Sequence, residues 1–307
     1  MNRPPKLFFV LGVPKSGTTW LQHLLDSHPE IRCTGEGALY RYLEGLARAV
    51  VDYNKHLKRR YRLFETETLP PIGDDELNRA FRFLALQRLQ AAVGADDVPP
   101  FLGNKDPDFG HIIGNLVRAF PRAAVIHIIR DGRDRAVSSW HHIRRDPPER
   151  RPKWFTDDFR EMALLMAPIW ARYIRTVRTN INGSQMRYHE LRYEKLKEET
   201  VGVMQGIFSF LGADSERAKT EACVAAAAFS KLSGGRSPGE EDTSSFYRKG
   251  VAGDWRNYFD AKTSAAFCRA TNGLMKELGY EEDPDAAVAS PGQDDTPLAR
   301  QSMTGVE

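Results

Sequence analysis

Between Gly12 and Thr19 the chain reads Gly-Val-Pro-Lys-Ser-Gly-Thr-Thr, a glycine-bounded turn carrying one lysine and three hydroxyls. Set between a strand and a helix, such a turn aims successive backbone N–H groups and a helix N-terminus at one point, which makes an anion cradle. It departs from the phosphate loop G-x-x-x-x-G-K-[ST] at one position. Thr18 follows the second glycine, where that loop has lysine, and the lysine has moved forward to Lys15. The point charge then sits where it can reach a group being transferred, and Thr18 and Thr19 offer hydroxyls. Further on, in Val125–Ser138, Arg130 ends an apolar run and Ser138 follows eight residues later. An arginine fork with a nearby hydroxyl suits a phosphate. Arg133 and Arg135 share the segment but fall on other faces of a helix, so solvent is the expected surrounding of both.

The elements that must position these residues alternate in type. Leu7–Val13 is a short apolar run suited to a buried parallel strand, and Thr18–Ser27 repeats apolar residues at helical spacing up to His28-Pro29. Phe101–Lys105 reads as a strand, His111–Phe120 as a helix, and Ala123–Ile129 as a strand leading into a helix at Asp131. Asp157–Thr179 has long helical periodicity with a kink expected at Pro168. Gln185–Tyr188 suits a strand, Tyr193–Leu211, Ser215–Phe229 and Thr263–Leu278 suit helices, and Ser230–Ser245 is a loop by composition. The expectation is an α/β fold: a single domain over residues 1–282 with a central, mostly parallel β-sheet flanked by helices and a P-loop-like core. Such sheets bind ligands beyond the carboxyl ends of their strands, where Gly12 and Arg130 both fall. Residues 283–307 are expected to form a disordered tail.

Composition sets the outer limits. The chain has 307 residues, 41% hydrophobic and 28% charged, as an ordinary globular protein has. Its net charge of +3 is too slight and too scattered for a nucleic-acid binder. The basic stretches at His56–Arg62 and Arg144–Lys153 read as solvated faces. Three scattered cysteines, Cys33, Cys223 and Cys268, fit neither a disulfide framework nor a zinc site. No apolar run approaches the ~20 residues of a membrane span, and the N-terminus lacks a signal peptide. The expected setting is cytoplasmic, without membrane attachment.

The loop and its surroundings resemble the PAPS-dependent sulfotransferases, where PAPS is 3′-phosphoadenosine-5′-phosphosulfate and PAP its desulfated product. Their 5′-phosphosulfate loop reads P-K-S-G-T-T-W, matched by Pro14–Trp20. The resemblance assigns Lys15, Ser16, Gly17, Thr18 and Thr19 to the phosphosulfate and Trp20 to the adenine. It assigns Arg130 and Ser138 to the 3′-phosphate. Phe246–Trp255 resembles the C-terminal R-K-G-x-x-G-D-W signature of the cytosolic enzymes, which brings Arg248, Lys249 and Gly250 to the same phosphate. Tyr193 and Phe229 fall where that family contacts the adenine. Ala227 and Ala228 replace its Thr-Ser, so one polar contact to the base is missing.

The acceptor side departs from the cytosolic pattern. Those enzymes use a Lys-x-His segment whose histidine is the base; here Gly103–Asp108 keeps Lys105 but has Pro107 in place of histidine. The stretch instead resembles the N-K-D-P segment of tyrosylprotein sulfotransferases. Those also carry an acidic residue after H-P-x-x-R-C, and His28–Glu36 matches. The resemblance implies Glu36 as general base, with Lys15 and Lys105 stabilising the sulfuryl group and the leaving oxygen. Asp106 and Asp108 are the alternative bases, and the histidines sit in no nucleophile constellation. A sulfonate carries less charge than a phosphate, and no metal is expected. The implied acceptor is a hydroxyl (an amine second) on a small molecule, carbohydrate or peptide, walled by Tyr40–Pro71 and Asp146–Phe155. A P-loop-type kinase and a non-catalytic PAP-binding module remain open alternatives, as does the oligomeric state.

Overall fold

Lys6–Leu11 forms β1, whose side chains alternate between two apolar faces: Phe9 and Leu11 point to one core, Phe8 and Val10 to the other. A strand buried on both faces belongs at the centre of a parallel sheet. In the computed structural model β1 is indeed central to a five-stranded sheet ordered β2-β3-β1-β4-β5, with β2 Ile31–Thr34, β3 Phe101–Lys105, β4 Ala124–Ile129 and β5 Arg187–Arg192. Every pairing is parallel. The structure describes residues 4–64, 69–94 and 98–281, so the expected tail at 283–307 lies outside the described residues.

The helices are α1 Thr18–Asp26, α2 Leu39–Phe64, α3 Asp74–Ala91, α4 Ile113–Ala119, α5 Gly132–Arg144 and α6 Phe159–Ile181. They continue with α7 Tyr193–Glu198, α8 Thr200–Leu211, α9 Arg217–Ala226, α10 Phe229–Leu232, α11 Ala261–Ala270 and α12 Leu274–Glu277. One apolar cluster joins Phe9 and Leu11 to Phe81, Leu116, Val137, Trp170 and Phe267, and so carries α3 to α6 and α11 on one face. The other joins Phe8 and Val10 to Leu21, Leu196, Phe208 and Cys223, which places α1 and α7 to α9 on the opposite face. Layers of helix on both sides of a parallel sheet are the expected architecture. Among the described residues no helix is long and apolar enough to cross a membrane.

Several boundaries differ from expectation for physical reasons. β2 is only four residues long and alternates buried with half-exposed, too short for a periodicity signal. α2 and α3 are helices where no element was expected; α2 fully buries only Leu39 and Leu43, although Leu39, Leu43, Leu46, Val50, Tyr53 and Leu57 recur at helical spacing, a stripe that was legible in the sequence. α6 runs through Pro168 without interruption. The expected single helix at Thr263–Leu278 is split, because Asn272 (φ 51°) and Gly273 (φ 82°) turn left-handed between α11 and α12.

Sheet register decides where the site lies. Val10 is opposite Lys105 and Leu11 is opposite His127, so β1, β3 and β4 end side by side. The loop at Gly12, the residues after Lys105 and Arg130 therefore emerge at one edge. That edge is the switch point, where the chain order reverses on either side of β1.

Candidate active site

The turn from β1 into α1 is closed by Gly17, which takes φ 93° as the residue preceding the helix. A Cβ there would also come within 2.5 Å of the Tyr193 ring, so only glycine lets the helix N-terminus open onto the cavity beside that tyrosine. Ser16 is buried, and its Oγ has no partner. Lys15 also adopts positive φ, at 75°, and its ammonium lies 4.2 Å from the centre of the Phe246 ring. Burial, with Arg145 and Arg130 nearby, lowers its pKa to about 8 against some help from Glu36.

Arg130 leaves β4 and crosses beneath this loop. Nη1 donates to the Lys15 carbonyl at 3.3 Å and Nη2 to the Val251 carbonyl at 3.0 Å, while Nε is buried without a partner. Its guanidinium lies 4.6 Å from the Tyr193 ring centre. Asp134, one turn on, accepts the backbone N–H groups of Gly253 (2.7 Å) and Trp255 (2.9 Å) and lies 3.6 Å from Arg130. The start of α5 thereby holds the segment of Arg248, Lys249 and Gly250 against the loop. Arg248 and Lys249 converge on Asp254, the latter at 2.6 Å. Burial works against the Asp254 carboxylate, yet hydrogen bonds from Lys249, Arg248 and Asn257 hold its pKa down to about 2. Gly250 (φ 63°) packs so closely on Phe229 that a Cβ would stand 2.3 Å from the ring.

On the other side of β1, Lys105 ends β3 almost wholly buried. Its Nζ donates to Glu36 Oε1 at 2.6 Å and to Thr19 Oγ1 at 3.3 Å. Glu36 itself leaves 58% of its side chain exposed, so the carboxylate is oriented by the lysine and still open to an incoming molecule. Asn104 brings it there: its Nδ2 donates to Thr34 Oγ1 (2.7 Å) and to the Gly35 carbonyl (2.6 Å), pinning the strand end that carries Glu36. Asp106 Oδ1 accepts the Asp108 N–H at 3.0 Å, Oδ2 is buried without a partner, and burial raises the carboxyl pKa.

One cavity of about 520 Å³ gathers these groups. Its lining holds Lys15, Gly17, Thr18, Thr19 and Trp20 from the loop, Arg130 and Ser138, Tyr193 and Phe229, Arg248 to Gly250, and Glu36. Ser16 lies behind this surface, and Lys105 reaches it through Glu36 and Thr19. Trp20 is half-buried, lies edge-on to Tyr193 at 6.0 Å, and donates from Nε1 to the Ala227 carbonyl at 3.1 Å.

Sequence reasoning misplaced or missed several residues. Arg133 and Arg135 are buried, not solvated. Arg133 pairs with Asp131 at 2.7 Å, stacks 3.5 Å over the Trp255 ring and donates to the Tyr280 carbonyl. It docks α5 on the C-terminal segment. Arg135 lines the cavity. His142 lines the cavity too, a position to which no role had been given. Its Nδ1 faces Arg145, which leaves the proton on Nε2, and burial with Lys15 and Arg145 lowers its pKa to about 4. Both lie at helical spacing from Ser138, the one signal that could have found them. Of the expected acceptor walls, Asp146–Phe155 supplies Pro152 and Trp154, whereas no described residue of Tyr40–Pro71 reaches the cavity. The His56–Arg62 stretch on α2 is largely exposed, as expected.

Known proteins resemble the chain in sequence and in fold. Mouse and human protein-tyrosine sulfotransferase 1 are each 33% identical to the chain over 127 residues, 41% of this chain and 32% of theirs. The chain thus spans about a third of the length of these curated relatives. A putative protein-tyrosine sulfotransferase of Caenorhabditis briggsae is 28% identical over 207 residues, 67% of this chain and 65% of that one. Among solved structures, mouse sulfotransferase SULT7A1 complexed with PAP superposes with a TM-score of 0.57 at 20% identity, covering 91% of this chain and 89% of that one. The sulfotransferase domain of the Synechococcus PCC 7002 olefin synthase gives 0.53 at 22% identity, covering 92% and 97%. These two share the α/β fold. Residues 5–217 match the Sulfotransferase family, and the chain belongs to it.

Proposed function

We propose that this protein transfers a sulfuryl group from PAPS to an acceptor hydroxyl by in-line displacement. The observation that carries the reading is the convergence of two anion sites and an ion-paired carboxylate on one cavity. The loop from Lys15 to Thr19 and the group of Arg130, Ser138, Arg248 and Lys249 open into the same space as Glu36. The unpartnered Ser16 Oγ and Arg130 Nε are buried polar atoms that a bound anion would satisfy. Trp20, Tyr193 and Phe229 offer aromatic faces for an adenine.

The donor supplies a sulfuryl group already activated by its 5′-phosphate. Glu36 takes the proton of the acceptor hydroxyl as the new O–S bond forms and the bond to the phosphate oxygen breaks. Lys15, on the loop, neutralises charge on the transferring group. Lys105, fixed between Thr19 and Glu36, donates to the leaving oxygen and orients the base. Glu36 is preferred over Asp106 because its carboxylate is open, whereas Asp106 is buried and spends one oxygen on the Asp108 N–H.

Calorimetric binding of PAP against AMP, which lacks the 3′-phosphate, tests the donor. PAP is expected to bind at least ~100-fold more tightly, the worth of a charge-assisted phosphate site. Equal affinity would overturn the reading and favour an ordinary nucleotide site.

A further inference from the structure

Once the donor groups of the proposed function are set aside, the cavity still contains a buried cation, Arg135, that no acidic side chain among the described residues pairs with. Arg135 exposes only 7% of its surface yet lines the cavity. Its Nε donates to the Pro14 carbonyl at 3.2 Å, and Nη1 is buried with no hydrogen-bond partner among the described residues. Among the described residues no carboxylate pairs with it, in contrast to Arg130, Arg133 and Arg248, each of which faces an aspartate. Burial alone depresses its pKa to about 10, with no neighbouring charge offsetting the loss of water. A desolvated guanidinium left without a counter-ion is costly, and proteins keep one where an anion arrives.

Its position indicates which anion. Arg135, Ser139 and His142 stand at helical spacing on one face of α5, and all three line the cavity. Donor contacts are accounted for by Arg130, Ser138 and the loop. Beyond the donor groups the cavity lining includes the apolar Ile143, Trp154, Met166 and Phe246 together with the acidic Asp106 and Asp108, and among the described residues it offers an acceptor no cation other than Arg135. We infer that Arg135 is a specificity-determining residue that binds an anionic substituent, a carboxylate or a sulfate or phosphate ester, on an acceptor whose stem is apolar or aromatic. The inference rests on the proposed sulfotransferase reading and deepens it by naming the acceptor class.

Binding to the PAP-loaded protein tests it, with 4-hydroxybenzoate and the isosteric neutral 4-hydroxybenzamide as probes. Wild type is expected to prefer the carboxylate by about ten-fold or more, the usual worth of a charge-assisted fork in a desolvated site. Arg135→Met should abolish that preference and leave PAP affinity within about three-fold of wild type. Arg135→Lys, which keeps the charge, should retain part of the preference and guards against a merely unfolded variant. Equal binding of the two probes to wild type overturns the inference, as does a preference that survives in Arg135→Met. A ten-fold loss of PAP affinity in Arg135→Met overturns it too, by moving the arginine to the donor. Failure of wild type to bind PAP would instead strike the donor reading, so the two failures are distinguishable.

Discussion

At the scale of single residues the site works by holding charges slightly away from their resting preferences. Lys15 is the clearest case, its pKa lowered from 10.5 to about 8 by burial and by Arg145 and Arg130. Between these two values the unfolded chain keeps the proton and the folded one releases it, so this lysine makes the free protein more stable as pH rises from 8 to 10.5. Anion binding runs the opposite way, because it needs the ammonium. PAP affinity should therefore fall by up to about ten-fold per pH unit above pH 8, and binding near pH 8.5 should take up a proton. Calorimetry in buffers of different ionisation enthalpy reads that uptake, and Lys15→Met should remove it. A proton count of zero in wild type would contradict the role given to Lys15. His142 is held neutral by burial and its cationic neighbours, and the contact of Nδ1 with Arg145 leaves its proton on Nε2.

At the scale of elements, the groups proposed for catalysis are placed by strand ends and tied by a few buried side chains. Asn104, next to Lys105 on β3, holds the backbone that carries Glu36 through two hydrogen bonds. Asn104→Ala should lower turnover about 10- to 100-fold, since a misplaced base costs on that order, while PAP affinity stays unchanged. Steady-state kinetics beside PAP titration separates the two effects; a matched loss of both would refute the positioning role. Asp134 is the corresponding tie on α5, accepting two backbone N–H groups of the segment that follows Arg248 and Lys249. Asp134→Ala leaves those donors and Arg130 uncompensated, and should cost about 3 kcal/mol in urea unfolding and weaken PAP binding. A loss of stability with full PAP affinity would detach the C-terminal segment from the donor site.

At the scale of the whole molecule, the parts proposed to bind the donor were legible because each is a local string, two of them at strand ends and the third in the loop after α10. Pro14–Trp20, Arg130 with Ser138, and Arg248–Gly250 need only the order of elements to meet, and the parallel sheet supplies it. What was not legible depends on packing between distant segments. Arg133 looked solvated until Trp255 and Tyr280 folded over it, and Arg135 until Pro14 closed beside it. The α2–α3 pair was missed although α2 carries apolar residues at helical spacing from Leu39 to Leu57, because charged residues crowd between them and the helix buries only Leu39 and Leu43. Trp154 fell within the Asp146–Phe155 stretch expected to wall the acceptor, whereas His142 was marked only by its helical spacing from Ser138. The central claim is that this cavity moves a sulfuryl group with Glu36 as base and Lys105 beside it. Incubation with PAPS labelled in its sulfate, and with phenols, sugars and tyrosine peptides as acceptors, tests it most directly. Wild type should label at least one acceptor class, Lys105→Ala should label none, and Glu36→Gln should lose about 10²- to 10⁴-fold in turnover at unchanged PAP affinity. Tight PAP binding without transfer to any acceptor, or a Glu36→Gln variant that keeps most of its rate, would contradict it.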